Sequence, residues 1–286
     1  MKLSELYRKR RPGLSFEIYP PKRDTYLKDI EPTVEILADC RPDFISITFG
    51  AGGSAADDRT LETAKLIREK YHTEPVVHLT CLHYRRADID RYAERLKESG
   101  IDNVLALRGD PAAGAEPAGD FRYASDLVAY LKDKYELGVC AGCYPEGHVE
   151  AESLAADIAN LKRKVDAGTD FLISQLFLDN EIFYRFLEQC QTAGIDVPII
   201  PGVMPVINKG QMERMASLCG ATIHPRFRRI LDRYGESREA LFDAGMAYMM
   251  SQVTELIANG TGGGHLYTMN RPEVARRLSD GIRNLF

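Results

Sequence analysis

Two short strings set ionisable residues against apolar runs. In FEIYPPK (16–22), Glu17 lies inside an apolar stretch just before a double proline that stiffens the exit. A carboxylate in half-apolar surroundings tends to a raised pKa and can donate a proton near neutral pH, whereas one paired with a structural Lys or Arg would do neither. In LALRGD (105–110), Arg108 and Asp110 close another apolar run, where ionised groups are costly unless they hold something. Arg108 could pair with a phosphate, and Gly109 would let the backbone pass close to a ligand. An internal Arg108–Asp110 salt bridge is the plainer reading. It leaves Gly109 and the Pro-, Ala- and Gly-rich continuation DPAAGAEP without a role.

Other strings carry weaker signals. GAGGSA (50–55) fits a dinucleotide fingerprint only nominally and reads as a flexible ligand-facing loop, whose amides could meet a phosphate or a substrate edge. The CAGC pair, Cys140 and Cys143, lacks the second pair a metal site would need and reads as two small apolar residues at a strand end. No metal is expected. YPEGH (144–148) sends Tyr144 and His148 over a strand end. In the helix that follows, Asp157, Asn160 and Lys164 are spaced to share one face. That face is either plainly solvated or in contact with the ribose and phosphates of a nucleotide.

These residues need elements to place them. Eight β-rich runs, 14–19, 43–48, 75–80, 102–107, 137–143, 170–175, 197–202 and 265–268, alternate with amphipathic stretches such as ESLAADIANLKRKVDAG, which closes on Gly168 as a helix cap. A Pro225-containing segment and a helix near 237–258 lengthen the last interval and put an insertion in the eighth unit. Residues 1–286, with no linker or composition break, fit one (β/α)8 TIM barrel of the α/β class better than a doubly wound open sheet. Catalytic groups then belong at the C-terminal strand ends. Those ends carry Glu17, Thr48, His78 with Thr80, Arg108 with Asp110, Tyr144 with His148, Gln175, and Tyr267 with Asn270 and Arg271.

With 44% hydrophobic and 28% charged residues the composition is that of a folded globular chain, and a net charge of −5 argues against nucleic acid as a partner. Neither a signal peptide nor a membrane span is visible, so a cytoplasmic protein with reduced cysteines is expected.

Read in order, FEIYPPK, ITFGAGG, HLTC, ALRGD, YPEGH, NLKRKVDAG, ISQLFLD, IIPGVMPV and HLYTMNR resemble the methylenetetrahydrofolate reductase family across nearly the whole chain. The resemblance implies a catalytic barrel that binds FAD and reduces 5,10-methylenetetrahydrofolate to the 5-methyl form, without the regulatory domain of longer members. By the same resemblance Glu17 matches the acid that protonates the pterin and helps open the five-membered ring to an iminium. Asp110 matches the aspartate that tunes the flavin and balances the cation. Thr48, His78, Leu107, Arg108, Gly109, Tyr123, Gly142, Tyr144, His148, Asp157, Asn160, Arg163 and Lys164 match flavin contacts. Gln175, Gln211, Tyr267 and Arg271 match positions that meet folate or the nicotinamide donor.

Met215 departs from the family pattern, standing where bacterial members place a phenylalanine over the nicotinamide or the folate tail. Methionine packs against a ring without stacking on it, which leaves the donor open. NAD(P)H is expected, and a partner subunit or homo-oligomer is allowed for. The alternatives are a barrel subunit of a larger one-carbon complex drawing electrons from a partner or ferredoxin, a non-catalytic folate-binding subunit, and a flavin-free pterin methyltransferase barrel.

Overall fold

Strand and helix alternate along the chain. The computed structural model describes residues 2–7, 13–21, 27–49, 58–111 and 116–286. The order begins α1 (Leu3–Tyr7), β1 (Gly13–Ile18), α2 (Leu27–Asp39), β2 (Phe44–Ile47), α3 (Asp58–Lys65, prolonged by a π turn to Lys70) and β3 (Pro75–Thr80). It continues through α4 (Arg86–Glu98), β4 (Asn103–Leu107), α5 (Ala124–Lys134), β5 (Gly138–Cys143), α6 (Leu154–Asp166), β6 (Phe171–Ser174) and α7 (Asn180–Thr192). Then come β7 (Ile199–Ile200), β8 (Gly202–Val203), α8 (Lys209–Cys219), α9 (Pro225–Tyr234), α10 (Arg238–Ala258), β9 (Gly263–Tyr267) and α11 (Pro272–Ile282). The GAGGSA string lies outside the described residues.

All the strand pairs are parallel, in the order β7-β6-β5-β4-β3-β2-β1-β9-β8. The two ends of that row are halves of one strand broken at Pro201, whose nitrogen has no hydrogen to give a ladder. The first half pairs with β6 and the second with β9, and His265 N–H donates to the Pro201 carbonyl at 2.9 Å. The expected eight-stranded barrel is therefore present, its seventh strand spanning the Pro201 break. The insertion is α8 with α9. It follows the seventh strand, so it belongs to the seventh unit and not the eighth.

Strand alternation divides the residues between two layers. Leu14, Phe16 and Ile18, like Ile45, Ile47, Val77 and Leu79, pack outward against the helices. Inside the barrel, Phe44, Val76, Leu105, Cys140, Phe171 and Ile200 form an inner core, and α1 closes its base with Leu3 and Tyr7. Each fully buried Phe or Ile contributes about 1.5–3 kcal/mol. Cys140 belongs to the inner cluster and Cys143 to the outer one, so CAGC points its thiols to opposite sides of the sheet. All six cysteines are free.

The interior has a polar flank. On β1, β2, β3 and β9 the inward positions carry Ser15, Glu17, Ser46, His78, His265 and Tyr267, whereas β4, β6 and β7 turn Leu105, Phe171, Ile173 and Ile200 inward. Ligands entering from the C-terminal mouth would meet the polar flank on one side and an apolar wall on the other.

Candidate active site

Glu17 lies near the end of β1 in a cavity of about 240 Å³ lined by Tyr19, Thr48, His78, Leu105, Leu107, Gly142, Cys143, Tyr144, Ile173, Gln175, Leu176, Met204, Met215, Tyr267 and Met269. Nine of the expected site residues thus meet in one place: Glu17, Thr48, His78, Leu107, Gly142, Tyr144, Gln175, Met215 and Tyr267. Tyr19, Met204 and Met269 were not anticipated. Asn270 ties that side of the mouth together, accepting from Tyr19 N–H at 2.7 Å and donating to the Tyr19 carbonyl at 3.0 Å. Met269 and Asn270 both take left-handed angles, φ 55°, an uncommon pair for residues with side chains.

The electrostatics of Glu17 differ from the expectation. Burial pushes its pKa up, but the proximity of His265 and His78 outweighs burial and holds it below the ordinary carboxylate value. His78 Nε2 stands 3.4 Å from Glu17 Oε2 and His265 Nε2 3.8 Å from the same oxygen. Burial drives His78 down to about 4 despite the attraction of Glu17, so His78 is neutral at neutral pH. Its Nε2 is buried without a hydrogen-bond partner among the described residues. The anticipated raised pKa of Glu17 is corrected: residues distant in sequence hold the ligand-free group ionised.

Arg108 and Asp110 are also placed differently from the plainer reading. Arg108 makes a two-pronged ion pair with Glu150, at 2.5 and 3.0 Å, rather than one with Asp110. Asp110 is exposed at the rim, outside the cavity lining, and its backbone carbonyl lies 3.1 Å from His83 Nε2. Gly109 takes φ 83°, and a Cβ there would come 3.0 Å from Thr80 Cβ, so a side chain is excluded where the chain turns along the mouth.

Around the rim, Tyr144 packs edge-on against His148 with ring centroids 4.7 Å apart, and burial pushes the Tyr144 phenol up to about 12. On α6, Asp157 accepts from His148 N–H at 3.2 Å, and Lys164 Nζ donates to the Gly142 carbonyl at 2.6 Å. These two residues face the mouth, which removes the solvated-face reading for them. Asn160 and Arg163 are exposed and bond each other at 2.9 Å. Tyr123 is half exposed at the start of α5, under the Arg122 guanidinium. On the opposite side Tyr267 Oη donates to the Ser174 carbonyl at 2.6 Å, and Leu176 N–H bonds Gln175 Oε1 at 2.7 Å. Gln211 and Arg271 line a separate cavity of about 360 Å³ with Asn208, Glu236 and Arg238, apart from the Glu17 pocket.

No group of three or more His, Cys, Asp or Glu that could hold a metal occurs among the described residues. Among those residues no helix is long and apolar enough to cross a membrane.

Over residues 2–282 the sequence matches the methylenetetrahydrofolate reductase family. The chain belongs to that family. The 5,10-methylenetetrahydrofolate reductase of Escherichia coli is 36% identical over 264 residues, covering 92% of this chain and 88% of the bacterial protein. The NADH-type methylenetetrahydrofolate reductase 1 of Arabidopsis thaliana is 37% identical over 273 residues, 90% of this chain but 46% of the plant protein. The chain thus spans about half the length of the plant relatives it matches. Among solved structures, a Clostridium thermocellum protein described as binding two copies of 5-methyl-5,6,7,8-tetrahydrofolic acid shares the fold, with TM-score 0.67 and 16% identity, over 99% of this chain and 100% of that one.

Proposed function

We propose that this member of the methylenetetrahydrofolate reductase family reduces 5,10-methylenetetrahydrofolate to 5-methyltetrahydrofolate with bound FAD, and that Glu17 is the general acid. The observation that carries the reading is the Glu17 carboxylate at the polar end of a mouth whose opposite wall is Leu105, Leu107 and Ile173. A flat heteroaromatic ring would pack on the apolar wall while its nitrogens face the acid.

The residues present suit a flavin. Gly142 leaves space over β5, where an added Cβ would meet only Leu107 Cδ2 at 3.8 Å, and the buried Nε2 of His78 lacks a partner that a ring heteroatom could supply. Thr48, His78, Leu107, Gly109 and Gly142 would hold the ring, with Asp110 beside it. Tyr144, His148, Asp157 and Lys164 would hold the ribose and phosphates. Arg108 would reach the phosphates on leaving Glu150, and Tyr123, Asn160 and Arg163 would meet the outer nucleotide. When bound, reduced FAD supplies the hydride.

The protein's own part is to orient the folate and to move one proton. Ligand-free Glu17 is ionised. Folate closing the mouth strips the remaining water from a side chain already only 15% exposed, which raises its pKa and lets it hold the proton that the pterin nitrogen takes. Gln175 and Tyr267 would fix the pterin. Gln211 and Arg271 line the neighbouring cavity, where the acidic tail of the folate would lie. Met215, at the mouth, packs against whichever ring is bound.

The plant relatives' names favour NADH as donor. The purified protein should be yellow. Anaerobic mixing with NADH should bleach it, with NADPH and reduced ferredoxin as comparisons, and methylenetetrahydrofolate should restore the colour. A colourless protein that takes up no FAD, or a reduced one that folate does not reoxidise, overturns the proposal.

A further inference from the structure

We propose that Glu146 is a positioning residue for folate: its carboxylate accepts from Thr222 N–H across the barrel rim and so holds the end of α8, with Met215, at a fixed distance from the loop that carries Tyr144 and His148. The inference rests on the reading of this mouth as the folate site and adds a residue to it.

The bond follows from how α8 ends. Gln211, Met215 and Cys219 stand four apart on that helix and so share one face. Met215 lines the Glu17 cavity and Gln211 the neighbouring one, which makes the helix a wall common to both. The last turn stops at Gly220, φ 69°, where Ala221 N–H bonds back to the Ala216 carbonyl at 2.8 Å. That left-handed turn redirects the chain, and Thr222 N–H, now outside the helix, donates to Glu146 Oε1 at 2.9 Å. A Cβ on Gly220 would come 3.1 Å from Val149 Cγ1, so the helix end also packs on the same loop.

The two elements joined here are each formed without Glu146. Lys209 pairs with Asp232 at 2.9 Å and Arg228 with Glu213 at 2.5 Å, which ties α8 to α9, and Met212, Phe227 and Leu231 pack beneath them with Leu176 and Met204. The loop after β5 keeps its own shape: Gly147 N–H donates to the Tyr144 carbonyl at 3.0 Å, Ala151 N–H to the His148 carbonyl at 2.8 Å, and His148 N–H to Asp157 at 3.2 Å. The α8–α9 linker follows the seventh strand yet reaches past the sixth unit. His224 Nε2 stands 3.8 Å from Asp179 at the start of α7, and Thr222 goes on to Glu146 in the loop after β5. Tyr144 and Met215 line one cavity from these two elements. The Glu146 bond therefore sets the width of the gap in which a flat ring is gripped. A Glu146 that only braced the surface would change thermal stability and leave that gap alone, so folate affinity separates the two cases.

The experiment joins amide hydrogen exchange of the ligand-free protein at Thr222 and along α8 to steady-state kinetics of the FAD-loaded protein. In the parent the Thr222 amide should exchange slowly. Glu146→Ala should speed it about tenfold or more and loosen the last turn of α8, and Glu146→Gln, whose side-chain carbonyl can accept from the same N–H, should restore most of the protection. Glu146→Ala should raise the folate KM about three- to tenfold, the worth of one such hydrogen bond, with kcat within about twofold of the parent and FAD content unchanged. Glu146→Gln should recover the parent KM. Val149→Ala, which trims the apolar half of the same bridge, should raise KM by less, and it keeps the question answerable should Glu146→Ala fail to fold. Unchanged Thr222 exchange in Glu146→Ala, or a folate KM equal to the parent's in both Glu146→Ala and Val149→Ala, overturns the proposal, as does a loss of thermal stability with KM unmoved. The exchange measurement needs no folate turnover. A parent protein that fails to reduce folate therefore refutes the proposed reaction, while exchange alone decides whether Glu146 holds α8.

Discussion

Acidification should expose the cost of burying His78 beside Glu17. In the folded chain burial lowers this histidine from 6.5 to about 4. Between those values the unfolded chain binds a proton that the folded one does not, so stability rises with pH across the window and is lost as pH falls through it. At about 1.4 kcal/mol per pKa unit the drop amounts to about 3 kcal/mol, most of it gone by about pH 4.5. Glu17, whose folded pKa lies below its ordinary value, adds in the same direction at the acid end. His78→Gln removes the histidine's titration while keeping a polar side chain. Urea denaturation from about pH 7.5 to about pH 4.5 should therefore show the parent losing about 2–3 kcal/mol more than His78→Gln. Parallel pH profiles would refute the reasoning, since His78 would then titrate alike in folded and unfolded chains.

Three further outcomes follow from the site. Asp157→Ala with Lys164→Ala should strip FAD during gel filtration while cooperative unfolding persists, because both side chains face the mouth; unchanged FAD content would detach α6 from the cofactor. Asp110→Asn should raise the flavin midpoint potential and slow folate reduction by about 10- to 10³-fold. Because Asp110 is exposed and Arg108 is paired with Glu150, it should shift stability by less than about 0.5 kcal/mol, and a large loss of stability with an unmoved potential would return Asp110 to a structural role. Gly202→Ala would place a Cβ 2.1 Å from the Ser174 carbonyl oxygen and 2.6 Å from Tyr267 Oη, so it should cost about 2 kcal/mol or more and weaken folate binding, whereas a thermal unfolding curve matching the parent's would contradict that packing.

Much of the barrel was legible because its strands alternate strictly and a polar residue at a strand end has one mouth to face. Glu17, Thr48, His78, Gln175 and Tyr267 were found by that rule alone. The same alternation could have shown more: His265 shares the inward parity of Tyr267, and Ser15 that of Glu17, yet neither lies at a strand end. What escaped were partnerships between distant positions. Arg108 finds Glu150 rather than its near neighbour Asp110, and the two histidines that lower Glu17 come from β3 and β9. Burial alone, which the sequence does suggest, predicts the opposite shift. The Pro201 break was visible as a residue but not as a change of partner, because only the closed ring requires one strand to pair with β6 below the proline and β9 above it. Gln211 and Arg271 match folate-contacting positions of the family, but their own cavity is a matter of how α8 and α10 pack.

The central claim is that Glu17 delivers the proton, and single-turnover reoxidation of the reduced protein by methylenetetrahydrofolate tests it most directly. Glu17→Gln keeps the shape and a hydrogen bond but has no proton to release at this strength. It should bind FAD and be reduced by NADH as the parent is, and then reduce folate about 10²-fold more slowly or worse. Folate reduction at the parent rate in Glu17→Gln would contradict the account.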